Sequence, residues 1–171
     1  MTDLTRVLGT LAGLQHESMG ALQELAQLFD ERRYEGADLC RQGEPADTFW
    51  ILTSGSVSVV RTTSGNTPVE VAVLEPCALV GIAGLIGIET RAATLRARGP
   101  VHVLEMSSAA ARARIDNPAS LVGGTLRRAL IAAVAKQVRH TNINIAKLAV
   151  QVGVAERVVD EKNLLSAITV F

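Results

Sequence analysis

The chain has 171 residues, which is enough for one globular domain with a helical extension. Hydrophobic residues make up 48% of it and charged residues 20%, a balance that excludes an intrinsically disordered protein. The 17 basic and 17 acidic side chains cancel, so no overall field favours nucleic acid or a membrane surface. Aromatic residues are only 3% of the chain, so we expect an aliphatic core and no base-stacking surface.

Nothing in the sequence indicates membrane insertion or export. No run approaches the roughly 18 uninterrupted apolar residues of a membrane-spanning helix. The N-terminal residues lack the charged and then apolar pattern of a signal peptide. Cys40 and Cys77 belong to no C-x-x-C motif and have no histidine cluster beside them. We therefore expect two reduced thiols in a cytoplasmic protein.

Residues 1–30 are predicted to form helices. Apolar residues recur at helical spacing from Leu4 to Leu14, and a second run extends from Met19 to Phe29. A polar break at residues 15–18 separates the two runs, so we expect a pair of helices.

From Tyr34 to Met106, within a predicted domain at 31–116, the apolar period becomes two, as in β-strands. Turn residues interrupt the alternation at short intervals, at Ser54-Gly55, at residues 64–66 and at Gly99-Pro100. Short strands with regularly spaced turns predict an all-β sandwich or jelly roll. One short helical turn is predicted inside this region, from Ile82 to Ile88.

The remaining residues are predicted to be helical again. Ser107-Ser108 can cap a short helix that ends before Asn117-Pro118. A long helix is predicted over 117–152, followed by a tail at 153–171 that a stop at Gly153 would separate from the helix.

The long helix carries basic residues and no acid between Asn117 and Ala155. Such a helix could contact nucleic acid. We favour a second interpretation, in which the basic residues form the polar back of a dimer helix. The apolar face of that helix would consist of Leu126, Leu130, Val134 and Val138.

The most informative segment runs from Val80 to Ala97 and reads V-G-I-A-G-L-I-G-I-E-T-R-A-A-T-L-R-A. A glycine-led turn that opens a short helix offers an anion free N–H groups and the positive end of a dipole. Arginine adds a rigid fork of donors that matches phosphate oxygens. Gly81 and Arg91 supply these two elements, whereas Arg91 taken alone is better explained as a surface arginine paired with Glu89 or Glu75.

This segment resembles the phosphate-binding cassette of the cyclic nucleotide-binding domain family, F-G-E-x-A-L-x-x-x-x-P-R-A-A-T-V-x-A, without a gap. The upstream run G-A-D-L-C-R-Q-G-E-P-A-D-T-F-W-I-L-T-S-G-S-V-S-V is similar to the family pattern as well. The resemblance implies an α+β protein, a β-roll or jelly roll with N-terminal helices and a long C-terminal helix. It implies that Arg91 binds the phosphate and that amides near Gly84, Ala92 and Ala93 support it.

Four departures from the family pattern in and just before this segment bear on the ligand. A glycine, an aromatic residue, a glutamate and a proline are replaced by Cys77, Val80, Ile82 and Thr90. In the family the glutamate accepts a hydrogen bond from the ribose 2′-hydroxyl, and losing a bond to a charged acceptor costs roughly 1.5–3 kcal/mol. The resemblance therefore implies binding of cyclic AMP or cyclic GMP that Ile82 weakens, a different ligand, or none. Val80, Ile86 and Ile88 are expected to make the pocket apolar.

Residues 119–150 resemble the dimerisation helix of the bacterial catabolite activator group, which implies a homodimer. In that group a helix-turn-helix domain follows, and the residues after Gln151 are too few for one, so DNA binding is not expected. No catalytic triad, phosphate-binding Walker loop or paired carboxylates occur, so no enzyme is expected. His16, His102 and His140 are scattered over separate elements, so no metal site is expected.

Two functions remain open at this point. The first is a homodimeric regulatory module, in which a ligand at Arg91 repositions the C-terminal helix. The second is a ligand-independent dimeric scaffold that binds a protein partner, which Ile82 and the apolar cassette favour.

Overall fold

The computed structural model describes residues 4–63 and 65–151. The chain divides into two compact units, Met1–Ala133 and Val134–Phe171. The described helices and strands, in chain order, are α1 Leu4–Gly9, α2 Met19–Ala26, β1 Asp30–Glu35, β2 Asp38–Cys40, β3 Thr48–Thr62, β4 Pro68–Leu74, β5 Ala78–Val80, a 3₁₀ helix Ile82–Ile86, β6 Thr94–Ser107, α3 Ser108–Ile115 and α4 Leu121–Gln151. The tail predicted at 153–171 lies outside the described residues.

The strands form one antiparallel sheet that folds into the predicted β-roll. Its order is β1-β6-β3-β4, with β2 paired to β6 and β5 paired to β3. The two longest strands, β3 and β6, pair from Thr48 opposite Ser107 to Val60 opposite Thr94. With helices before and after the sheet, the α+β class predicted from the sequence is confirmed.

Two predicted turns are wrong, because they are bends inside long strands. Ser54-Gly55 lies within β3 and Gly99-Pro100 within β6. Gly55 has a left-handed φ of 79°, and a methyl group there would lie 2.4 Å from the Pro100 carbonyl oxygen. The pairing register shifts at this point, between Leu52 and Ser56. Glycine therefore lets the paired strands bend together without separating them.

The side chains of β3 alternate between two apolar clusters. Phe49 and Ile51 enter a cluster with the helices, whereas Trp50 and Leu52 enter a second cluster inside the roll. The first cluster also contains Leu8, Leu22, Leu25, Leu104, Leu126 and Ala129. The second also contains Leu39, Val57, Val80, Leu95, Val101 and Val103. The period of two thus places the tryptophan on the inner face of the roll.

The N-terminal helices are shorter than predicted. Helix α1 ends at Gly9, and Gly13 has a left-handed φ of 86° that no helix residue adopts. A methyl group at residue 13 would lie 2.6 Å from the Arg128 carbonyl oxygen. The segment between α1 and α2 therefore packs closely on the first half of α4, and Leu11 and Leu14 are buried there without being helical.

Helix α3 begins where the sequence predicts, whereas α4 begins at Leu121, four residues after the predicted start at residue 117. The Ser107 hydroxyl accepts a hydrogen bond from the Ala110 amide and caps α3. The dimer face predicted for α4, however, is wrong in its first half. Leu126 is 4% exposed and packs in the first cluster, with Leu130 half-buried against it. That part of the apolar stripe is covered by the chain's own helices.

Glu17 links the N-terminal segment to α4. Its carboxylate accepts hydrogen bonds from the Arg128 guanidinium and, at 3.3 Å, from the Thr125 hydroxyl. The bond from Arg128 is the main reason that the pKa of Glu17 lies below its ordinary value. The carboxylate is largely buried and Arg128 is half exposed, so solvent screens part of the attraction.

We expect Glu17→Gln to lower the free energy of unfolding by about 1 kcal/mol at neutral pH. A carboxyl with a lowered folded pKa stabilises the fold above its unfolded pKa, here 4.5, and loses this contribution as the pH falls through the folded value. Urea unfolding at about pH 7 and pH 3 should show the difference only at the higher pH. Glu24→Gln, on the exposed side of α2, is the control. An equal loss at both pH values would contradict the role of the charge.

Candidate functional site

The site is organised around the 3₁₀ helix that follows β5. Gly81 precedes this helix with a left-handed φ of 74°, and Gly87 ends it with a φ of 85°. Only glycine adopts this conformation without strain. The helical turn predicted over Ile82–Ile88 is therefore confirmed, with glycine at both ends.

Backbone hydrogen bonds hold Arg91 against the loop between β2 and β3. The Arg91 amide donates to the Glu44 carbonyl at 2.8 Å, and the Gly43 amide donates to the Arg91 carbonyl at 2.9 Å. Beside them, the Ala46 amide donates to the Glu89 carbonyl at 2.8 Å. These bonds fix the backbone from which the arginine side chain enters the interior.

The Arg91 side chain is buried, with 5% of the residue exposed. Its Nη1 donates to the Gly81 carbonyl at 3.2 Å and its Nη2 to the Thr48 hydroxyl at 2.9 Å. Its central carbon lies 4.6 Å from the centroid of the Trp50 ring. Taken alone, Arg91 suggested a surface arginine paired with Glu89 or Glu75. In the structure the residue is instead buried and bonded to Gly81 and Thr48.

The positive charge of Arg91 is only weakly compensated by this chain. Its Nε is buried and has no hydrogen-bond partner. The one carboxylate recorded as paired with it, Asp47, lies at 4.0 Å and is 77% exposed, so solvent screens it. A buried cation whose acceptors are neutral, and one of whose nitrogens has no partner, favours an anion.

Gly81 brings the 3₁₀ helix, the arginine and the tryptophan into direct contact. A methyl group at residue 81 would lie 2.8 Å from Arg91 Nη1 and 2.8 Å from Trp50 Cζ3. Any side chain there would displace the guanidinium from its position. The structure thus brings together the two residues, Gly81 and Arg91, that the sequence identified as the centre of the site.

The other predicted site residues occupy different surroundings. Ile82 is half-buried against the first apolar cluster, with the helices. Gly84 is buried, and a methyl group on it would lie 1.9 Å from the Ala46 carbonyl oxygen and 2.7 Å from Ser108 Oγ. Gly84 therefore serves close packing between the 3₁₀ helix, the loop and α3. Ala92 is exposed and Ala93 is half-buried.

The expected apolar lining of the pocket is only partly present. Val80 is buried beside Trp50 in the second cluster, whereas Ile86 and Ile88 are about half exposed. Cys77, which stands where the family has glycine, keeps a left-handed φ of 65°. Its Sγ lies 3.0 Å from the Thr10 hydroxyl, so this turn contacts the N-terminal segment.

Sequence reasoning missed Trp50 and its partner Glu105. The Trp50 Nε1 donates to Glu105 Oε2 at 2.7 Å, and the two residues are opposite each other on β3 and β6. Trp50 is also opposite Val80, the residue before Gly81. Its place under Arg91 depends on this register, for which the sequence contains no local signal.

The remaining candidate sites carry no separate chemistry. Arg127 donates to the Ile115 carbonyl and Arg128 binds Glu17, so two basic residues of α4 are engaged within the first unit. Across residues 4–63 and 65–151, no three His, Cys, Asp or Glu side chains form a group that could hold a metal. None of the helices in the same ranges is long and apolar enough to cross a bilayer.

A glycine-led 3₁₀ helix beside a buried arginine, carried on a β-roll, is thus the central feature of this domain. A family profile described as cyclic nucleotide-binding domain matches residues 31–117, just over half of the chain. The chain therefore belongs to the cyclic nucleotide-binding domain family. The family profile thus describes a binding domain, which corresponds to the β-roll.

Relatives and solved structures agree with this assignment. The chain is 32% identical over 108 residues to the cGMP-dependent protein kinase egl-4 of Caenorhabditis elegans, which covers 61% of this chain and 14% of the kinase. The chain thus corresponds to a small part of that relative. A cyclic nucleotide-binding domain from Methylobacillus flagellatus superposes with a TM-score of 0.73 at 17% identity, covering 83% of this chain and 80% of that one. The Thermus thermophilus Catabolite Activator Protein gives 0.66 at 20% identity, with 84% and 63% covered. At these identities the structures demonstrate the shared fold.

Proposed function

We propose that this chain is a regulatory module that binds a cyclic nucleotide at Arg91 with weakened affinity. The observation that carries the proposal is the buried guanidinium whose Nε has no partner. An anionic phosphate oxygen at this N–H would give Nε a hydrogen-bond partner and balance the charge of the arginine. The match to the cyclic nucleotide-binding domain family supports a cyclic phosphodiester as the anion.

We attribute the weakened affinity for the nucleotide to Ile82. Its side chain has no acceptor and packs on the apolar cluster with the helices, so it offers nothing to a ribose hydroxyl. A lost hydrogen bond to a charged acceptor corresponds to roughly 1.5–3 kcal/mol, or about one to two orders of magnitude in affinity. We therefore expect binding to depend more on the phosphate than on the sugar.

Isothermal calorimetry with cyclic AMP and cyclic GMP tests the proposal. The natural chain should bind at least one of them, and Arg91→Gln should lose binding because it removes the charged donor. Arg33→Gln removes the same charge from an exposed position on β1 and should leave binding unchanged. Ile82→Glu should strengthen binding by about tenfold if the acceptor is the missing element. A folded natural chain that releases no heat with millimolar ligand would refute the proposal.

A second candidate function is the ligand-independent scaffold that binds a protein partner. The observation that favours it is that the guanidinium already has partners within the chain, in the Gly81 carbonyl, the Thr48 hydroxyl and the Trp50 ring. In this case Arg91→Gln would leave dimerisation and partner binding unchanged. Pull-down from cell extract with the natural chain and with Arg91→Gln separates the candidates, since a regulatory module should lose a ligand-dependent partner.

We also propose that the module is a homodimer formed through α4. Within the second unit, four apolar residues and one threonine follow one another along the helix at alternating spacings of four and three residues. This set, the α4 seam, consists of Val134, Val138, Thr141, Ile145 and Leu148. Val138, Ile145 and Leu148 are each more than half exposed. A stripe with this spacing is typical of a two-stranded coiled coil.

The proposed setting is the cytoplasm. Cys40 and Cys77 are free thiols. Burial raises the pKa of the Cys40 thiol, which keeps it protonated and unreactive. Two cysteines that remain free thiols are consistent with a reducing compartment.

A further inference from the structure

Trp50 forms the floor on which Arg91 lies. It is the only tryptophan of the chain, and it is 2% exposed. The guanidinium carbon lies 4.6 Å from the ring centroid, within the distance at which a cation is attracted to an indole face. The Asp47 carboxylate, by contrast, lies 4.0 Å from the guanidinium and is 77% exposed, so the ring contacts the charge from inside the protein while the carboxylate lies toward solvent.

The indole is itself held in place from its other edge. Its Nε1 donates to Glu105 Oε2 at 2.7 Å. The Tyr34 hydroxyl donates to the same oxygen at 3.2 Å, and Arg32 Nε donates to Oε1 at 3.4 Å. Glu105 therefore joins β1 and β3 to β6 and determines the orientation of the ring.

Close packing leaves the ring and the guanidinium little freedom. Gly81 lies against both, because a methyl group there would approach Trp50 Cε3 to 3.0 Å and Arg91 Nη1 to 2.8 Å. The Thr48 hydroxyl and the Gly81 carbonyl accept from the two Nη atoms. Nε is thereby the one guanidinium nitrogen of Arg91 without a hydrogen-bond partner among the described residues.

We propose that Trp50 is the positioning residue that holds Arg91 in place for an anion, and that Glu105 holds Trp50 through the indole N–H. The expected effect of Trp50 on ligand affinity rests on the proposed function, whereas the contact between Trp50 and Arg91 does not depend on it. An electron-rich indole that donates to a carboxylate attracts the cation more strongly than an isolated ring. Removal of the ring should let the guanidinium move, so that the unpartnered N–H no longer has a defined direction.

Two measurements test this proposal on Trp50→Leu and on the conservative Trp50→Phe. The first is the ¹⁵N–¹H resonance of Arg91 Nε in ligand-free protein, assigned by its loss in Arg91→Lys. The indole face should shield this proton, Trp50→Phe should keep most of the shielding, and Trp50→Leu should abolish it. The second is the calorimetric affinity for cyclic AMP, which should fall about tenfold in Trp50→Leu and less in Trp50→Phe.

Glu105 provides the matched second pair of variants. Glu105→Gln keeps an acceptor for the indole N–H and should preserve the Arg91 resonance and the affinity. Glu105→Ala removes the acceptor and should shift both toward the values of Trp50→Leu. If Trp50→Leu does not fold, this pair and Trp50→Phe decide the question.

The results separate the two proposals. An Arg91 Nε resonance that is unchanged in Trp50→Leu, or in Glu105→Ala if the former does not fold, would overturn the positioning role. The same holds for an unchanged affinity in a chain that binds cyclic AMP. If the natural chain binds no cyclic nucleotide, the proposed function fails, and the ligand-free resonance still decides whether Trp50 positions Arg91.

Discussion

Gly84→Ala is expected to lower the free energy of unfolding by about 3 kcal/mol, because the added methyl group has no space. It would lie 1.9 Å from the Ala46 carbonyl oxygen and 2.7 Å from Ser108 Oγ. The first of these atoms belongs to the backbone of a loop fixed by hydrogen bonds to Glu89 and Arg91. The 3₁₀ helix must therefore move away from the loop and α3. Urea unfolding followed by circular dichroism measures the change.

Gly87→Ala is the matched control at the other end of the same short helix. A methyl group there meets nothing within 4 Å, so its cost is only the left-handed φ of 85°. That strain corresponds to about 1 kcal/mol. If Gly84→Ala proved no more damaging than Gly87→Ala, the close packing of the 3₁₀ helix would be contradicted. The Gly84 variant should also bind cyclic nucleotide less well, since Gly81 and its carbonyl move with the helix.

Ile145→Glu is expected to convert the proposed homodimer into a monomer. Ile145 is 59% exposed within the α4 seam, and in a coiled coil the two copies of this residue would lie close together. The substitution removes two apolar side chains from the interface and places two like charges there. A loss of affinity of about two orders of magnitude, or about 3 kcal/mol, is expected. Sedimentation equilibrium at tens of micromolar measures it.

Ile143→Glu is the control for this experiment. Ile143 is 48% exposed on the same helix and is not part of the α4 seam. The chemical change is identical, so the dimer should persist in this variant. A natural chain that sediments as a monomer would refute the dimer. Equal effects of the two substitutions would show that the seam is not the interface.

Local signals in the sequence were sufficient to predict those elements whose conformation depends on residues that are neighbours in the chain. Ser107 predicted the start of α3, and Gly81 predicted the turn into the 3₁₀ helix. The positions of Gly55 and Gly99 were interpreted as turns, because glycine with serine or proline usually ends a strand. In the folded chain β3 and β6 continue through these residues. Whether the chain turns or only bends at a glycine depends on the strand that pairs with it, and that strand is distant in sequence.

The long helix illustrates the same limit for packing. Leu126, Leu130, Val134 and Val138 share one helical stripe in the sequence. Hydrophobic periodicity identifies an apolar face without identifying what covers it. Leu126 is covered by the chain's own α1 and α2 region, while Val138 stays exposed. Only the tertiary contacts divide the stripe into a core portion and an unpaired portion.

The sequence by itself determined the family, the β-roll with flanking helices, and the association of Gly81 with Arg91 in the candidate site. These follow from local conformation and from residue types at fixed spacing, which a linear chain records directly. The tertiary structure alone decided that Arg91 is buried on Trp50, that Glu105 orients the indole, and that Ile82 packs toward the helices. Each of these facts depends on the register of β3 against β5 and β6. That register results from packing the whole sheet, and no short stretch of residues encodes it.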